Sequence, residues 1–202
     1  MKNLALTQTH SLTIPDPITV KKPEPSWRHI VGVHVEKHSE FAAVWLGHET
    51  SKGTDRVTIY DSVIYPTGTH FAVIADDLKR RGAWKPIAWR TDDEEYIEAL
   101  RERGCSTLSF YGKETAYTET PAVCAASALQ MDERLMTGGM GVWDNNTAWL
   151  REYESFGQRD GMIPQEGFPL MSATRHALHY LKRARKWPEP NRKIEYSAKG
   201  IV

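Results

Sequence analysis

Cysteine is scarce in this chain: Cys105 and Cys124 are the only two in 202 residues, and no Cys-x-x-Cys or Cys-His spacing surrounds either. That excludes a disulfide-dense scaffold and a cysteine zinc motif, and points to two structural thiols in a reducing compartment. Net charge is also missing. The 26 basic residues balance the 26 acidic ones, so no global field draws the molecule to nucleic acid or to anionic membrane, and any such contact has to come from a local patch. No apolar run approaches the length of a membrane-spanning helix. The amino terminus, with Gln8, Thr9, His10 and Ser11, lacks the apolar core of a signal peptide. These absences predict a soluble, cytoplasmic protein. Glycines occur singly or as Gly138-Gly139, and no GxxxxGK[ST] is present, which excludes a P-loop ATPase.

What is there reads as one domain with tails, long enough to bury a core without staples. Residues 1–27 carry Pro15, Pro17, Pro23, Pro25 and Lys21-Lys22, a composition that predicts an extended or disordered arm. The domain is expected over 28–186, with a tail over 187–202. Val31 to Leu46 alternates small and β-branched residues around the polar turn Glu36-Lys37-His38-Ser39-Glu40, the pattern of a β-hairpin. Arg56 to Tyr65 follows as a third strand, stopped by Pro66-Thr67-Gly68.

Phe71, Ile74, Ala75 and Leu78 recur at helical spacing before Arg80, Arg81 and Gly82 end the helix. A strand over Pro86 to Arg90 leads into Thr91-Asp92-Asp93-Glu94, read as a capping box with Thr91 as N-cap of a helix running to about Arg103. A strand at Ser106 to Phe110 is predicted next, then a long, largely buried helix over Thr120 to Met136. The reading closes with a strand at Met140 to Trp143, a helix from Asn146 to Phe156, and a last helix from Met171 to Lys186, ended by Pro188 and Pro190. Three antiparallel strands followed by alternating helices and strands predict an α/β fold, an RNase H-like mixed sheet flanked by helices.

Laid end to end, the segments from about Arg28 to Arg185 resemble the nuclease domain of bacteriophage large terminase subunits, the motors that package and cut viral DNA. That family's first strand reads Gly-Val-Asp-Trp-Gly, followed by a polar turn and an aromatic residue. Here Gly32-Val33-His34-Val35-Glu36 and Phe41 occupy those places. Its second aspartate ends a central strand before a helix with Glu-x-Ile-x-x-Leu-x-x-x-Gly. This chain has Trp89-Arg90-Thr91-Asp92, then Glu95, Ile97, Leu100 and Gly104. Its third aspartate lies in a closing helix with a pattern like Asn-His-x-x-Asp-Ala-x-Arg-Tyr, where Ser172 to Tyr180 places His176. The resemblance thus implies that His34, Arg90 and His176 occupy the three catalytic aspartate positions.

Two magnesium ions need several carboxylate ligands, and imidazole suits zinc, manganese, nickel or copper better. A guanidinium at Arg90 would repel a cation or bind a phosphate. The resemblance with these departures implies a stand-alone, phage-derived pseudo-nuclease that acts in packaging by binding double-stranded DNA or a packaging protein such as a terminase ATPase or portal, with no cofactor expected. An active nuclease rebuilt around a divalent metal (Mg, Mn or Zn), with His34, His176, His179 and Asp92 or Asp93 as ligands, is the alternative. A non-enzymatic interaction or decoy protein is the third reading.

Helix capping accounts for Asp92, Asp93, Glu94 and Glu95 without a ligand. Glu36 and Asp61 are read as solvated strand ends. Arg90, Lys182, Arg183, Arg185 and Lys186 are the DNA-binding candidates, although cations at a helix C-terminus explain the last four equally. Of the seven tryptophans, most are expected in the core, and Trp187 in the polar tail is the candidate docking residue.

Overall fold

The structure, a computed structural model, describes residues 23–35, 40–50, 53–90, 93–109, 120–156 and 167–188. β1 (Arg28–Val35), β2 (Phe41–Glu49) and β3 (Arg56–Tyr65) form an antiparallel meander, as their alternation predicts. The β2–β3 register shifts between Trp45 and Leu46. Tyr60 is the extra residue there, and this β-bulge turns its ring toward the start of β1.

After α1 (Phe71–Arg80), β4 (Ile87–Ala88) pairs parallel with β1. α2 (Glu94–Glu102) and α3 (Pro121–Met136) follow, and β5 (Met140–Val142) pairs parallel with β3. Next come α4 (Thr147–Ser155) and α5 (Pro169–His179), then β6 (Arg185–Lys186), which pairs with the first two residues of β1. The strand order is β4-β1-β2-β3-β5, a mixed sheet flanked by helices.

β1 and β2 are covered on both faces, so they read as nearly unbroken apolar runs. On one face Arg81, just beyond α1, lies over the Trp45 ring. On the other lies α5, whose residues Pro169 to Leu178 are all buried. Helix and strand approach so closely that a Cβ at Gly32 would lie 1.9 Å from the carbonyl oxygen of Ala173. Only glycine permits that contact. Trp27 lies over Gly47 in the same manner at the edge of the core.

Three boundaries and the burial of one helix differ from the sequence reading. The last helix stops at His179, and Lys182, Arg183, Arg185 and Lys186 lie on a 3-10 turn and strand β6. There the backbone of Arg185 and Lys186 bonds to β1 in place of continuing the helix. α2 has Asp93, not Thr91, as its N-cap, and the Asp93 side chain makes no capping bond. α3 buries one face only, through Cys124, Ala128, Met131 and Leu135, while Leu129 and Met136 are exposed. The strand expected at 106–110 is reduced to a parallel bridge between Thr107 and Ile87. The N-terminal arm to residue 22 and the tail from 189, like Phe110, Thr91, Asp92 and the turn residue Glu36, lie outside the described residues.

Cys105 and Cys124 are both buried and form no disulfide. Trp27, Trp45, Trp89, Trp143 and Trp149 are core residues, whereas Trp187 is 48% exposed.

Candidate functional site

Alternation along β1 puts Ile30, Gly32 and His34 on the face that meets α5. Because Gly32 lets α5 sit directly on the strand, one helical turn beyond Ala173 brings His176 over Val33 and His34. Nδ1 of His176 donates to the carbonyl oxygen of Val33 at 2.7 Å. A carbonyl only accepts, so this bond fixes the tautomer and leaves the Nε2 lone pair to face the site. The His34 and His176 rings stand 5.6 Å apart at 57°.

The third member comes from across β4. Asp93 opens α2 but is 1% exposed, its carboxylate turned inward. One ligand atom from each of His34, Asp93 and His176 lies within 4.8 Å of the other two. Arg90, which ends the β4 segment, closes the group: its Nε lies 3.2 Å from Asp93 Oδ1, and its Nη2 donates to Val35 O at 3.4 Å. The centre therefore holds two imidazoles and one carboxylate, and that carboxylate is ion-paired to a guanidinium.

Two imidazole nitrogens and one carboxylate oxygen make a donor set for a single zinc, manganese, nickel or copper ion. They do not make one for two magnesium ions, whose sites take mostly carboxylate oxygen. The Val33 carbonyl behind His176 is the kind of outer partner that orients a ligating imidazole.

The sequence places His34, Arg90 and His176 together, and the structure brings all three to one end of the sheet. Asp93, read from sequence as a capping residue and, in the alternative reading, as a possible metal ligand, groups with His34 and His176. His179 does not join the group; it lies with His48 in a separate cleft. Asp61 pairs with Arg81 at 2.5 Å on the α1 side. The DNA-binding candidates divide between the two ends of β1, with Arg90 beside His34 and the Lys182 to Lys186 group beside Arg28 and His29.

In fold the chain is similar to the nuclease domain of the phage P22 large terminase. The TM-score is 0.70 at 14% identity, over 84% of this chain and 88% of that one. It is similar to the phage SPP1 large terminase nuclease domain solved with bound manganese, with TM-score 0.57 and 17% identity over 76% and 86% of the two chains. The large terminase nuclease of the thermophilic phage G20c, solved with bound zinc, gives TM-score 0.56 and 14% identity over 79% and 85%. Against the larger terminase chain of another thermophilic phage, the match covers 80% of this chain and 41% of that one. No family sequence profile and no curated protein matches the chain. The architecture is thus the RNase H-like one of terminase nuclease domains, and at these identities the likeness is one of fold.

Proposed function

We propose that this chain is a terminase-nuclease-type domain that serves viral DNA packaging by holding double-stranded DNA or a packaging protein, without two-magnesium cleavage. The observation that carries the reading is the Arg90–Asp93 ion pair between β4 and α2. The positions that the resemblance gives to metal-binding aspartates carry His34, Arg90 and His176, and the carboxylate grouped with the two histidines, Asp93, is already paired to a guanidinium, so the field that would attract a pair of hard cations is weakened. The working unit of the proposal is residues 28–186. DNA would be met by Arg90 at one end of β1 and by Lys182, Arg183, Arg185 and Lys186 at the other.

The test is titration of a fluorescent duplex at several salt concentrations. Binding through phosphate contacts releases counterions, so affinity falls steeply as salt rises. Charge reversal at Arg185 and Lys186 should flatten that slope. Binding that is independent of salt contradicts the DNA version, and a pull-down with a terminase ATPase or portal protein then tests the protein version.

A second reading rests on a separate observation, the donor set of His34, Asp93 and His176. In this reading the site takes one transition-metal ion, held by the two imidazoles and the carboxylate, which supplies Lewis acidity when bound. Calorimetric titration with zinc, with His34→Ala as control, separates the two readings without an activity assay. Stoichiometric binding lost in the variant supports the metal reading, and no heat in the native protein removes it.

A further inference from the structure

On the α5 face, at the other end of the sheet from His34, the structure has a cleft of about 570 Å³. Its walls come from three parts of the chain: the end of β2 with the turn toward β3, the outer side of α3, and the stretch just past α5. By register, Arg28 pairs with His48 and His34 with Ala42. Six residues of β1 therefore separate the cleft from the candidate site, roughly 20 Å.

Beside the neutral Thr50, Thr54 and Gln130, the lining sets His48, Arg134, His179 and Lys182 against a single carboxylate, Asp55. Asp55 is already engaged: one oxygen lies 2.8 Å from His48 Nε2 and the other 3.2 Å from Arg134 Nη2. The His48 bond, with Arg134 beside it, holds Asp55 below the usual carboxylate range. One negative charge thus positions two basic groups at the rim and is offset by Arg134. Lys182 is exposed and pairs with no carboxylate among the described residues. Leu178 supplies an apolar wall.

We propose that this cleft binds a phosphoryl group, with Arg134 and Lys182 as its charged contacts and the His48 and His179 imidazoles on its wall. A net positive, multi-donor arc suits an anion with three acceptor oxygens, and the volume suits a ligand of nucleotide size. Nothing in the inference depends on the His34 centre or on nuclease ancestry. The phosphoryl group would belong either to a small diffusible anion or to a DNA backbone, and those sources share the same chemistry.

Imidazole resonances of His48 and His179, followed by NMR, test it with two probes: inorganic pyrophosphate and a short unmodified DNA duplex. The expected result is saturable shifts of both imidazoles with at least one probe. The affinity should fall about tenfold in Lys182→Met, and by as much in Arg134→Met. Lys182 is exposed, so its variant keeps the proposal testable where Arg134→Met disturbs the Asp55 turn. Shifts with pyrophosphate assign the site to small phosphoryl ligands, and shifts with duplex alone assign it to the DNA backbone. The absence of shifts with both probes at millimolar concentration overturns the proposal, as does binding unchanged in Lys182→Met. Duplex binding that leaves His48 and His179 unmoved tells against this cleft while leaving the DNA reading of the whole protein intact.

Discussion

Arg90 pairs with Asp93, the N-cap of α2, Nε to Oδ1 3.2 Å, and the carboxylate it holds is almost wholly inside the protein. A ligand atom of that carboxylate lies within 4.8 Å of one from each of two buried histidines, His34 and His176.

Breaking the pair from one side leaves a buried carboxylate without its guanidinium. Arg90→Met is therefore expected to destabilise the protein by about 3–5 kcal/mol, read from urea denaturation, and Arg90→Lys to recover part of the loss. The same Arg90→Met protein should bind zinc more tightly than the native one, because the competing positive charge is gone. A denaturation midpoint that does not move shows the pair to be dispensable.

Gly32 sets the depth at which α5 sits on β1. A methyl group there would meet the Ala173 carbonyl oxygen at 1.9 Å and the Ala177 Cβ at 2.9 Å, and both belong to a helix buried on every side. Gly32→Ala is expected to cost about 1–3 kcal/mol and to lengthen the His176–Val33 bond. Loss of the protected Nδ1 proton signal of His176 would register that. A stable variant with an unchanged His176 signal contradicts this account of the site's geometry.

At the opposite end of β1, His29 is fully buried against Tyr60 and Trp84. Burial first, and the Lys85 charge second, lower its pKa from 6.5 to about 4. In the unfolded chain the imidazole protonates near its ordinary value, so the contribution is complete above pH 6.5. It is lost as pH falls through the window down to about 4, a loss of about 3 kcal/mol. Burial likewise lowers Lys85 from 10.5 to about 8. Lys85→Met removes the second cause, so the His29 midpoint should rise in that variant, measured by NMR titration. An unmoved midpoint shows that Lys85 exerts no influence on it.

The three-stranded meander was legible in the sequence because it rests on periodicity, and the grouping of His34, Arg90 and His176 was implied by the resemblance to terminase nuclease domains. Asp93 was not. An aspartate in the first turn of a helix satisfies the dipole wherever its side chain points, so local reasoning accounts for it without a site. Only the packing of α5 onto Gly32 reveals that His176 waits on the other side. The end of α5 was misread for a related reason: Leu178, Leu181 and Ala184 keep an apolar spacing that suits a helix, whereas edge hydrogen bonds to Arg28 and His29 draw Arg185 and Lys186 into the sheet. The basic cleft joins Asp55, Arg134 and Lys182 across more than a hundred residues, and no linear pattern connects them.

The proposed function requires that this terminase-nuclease-type fold carries no two-magnesium centre. Incubating the purified protein with supercoiled plasmid and magnesium tests it most directly, with parallel reactions in manganese, zinc and nickel. The plasmid is predicted to stay covalently closed in magnesium. Magnesium-dependent nicking that disappears in His34→Ala would contradict the account.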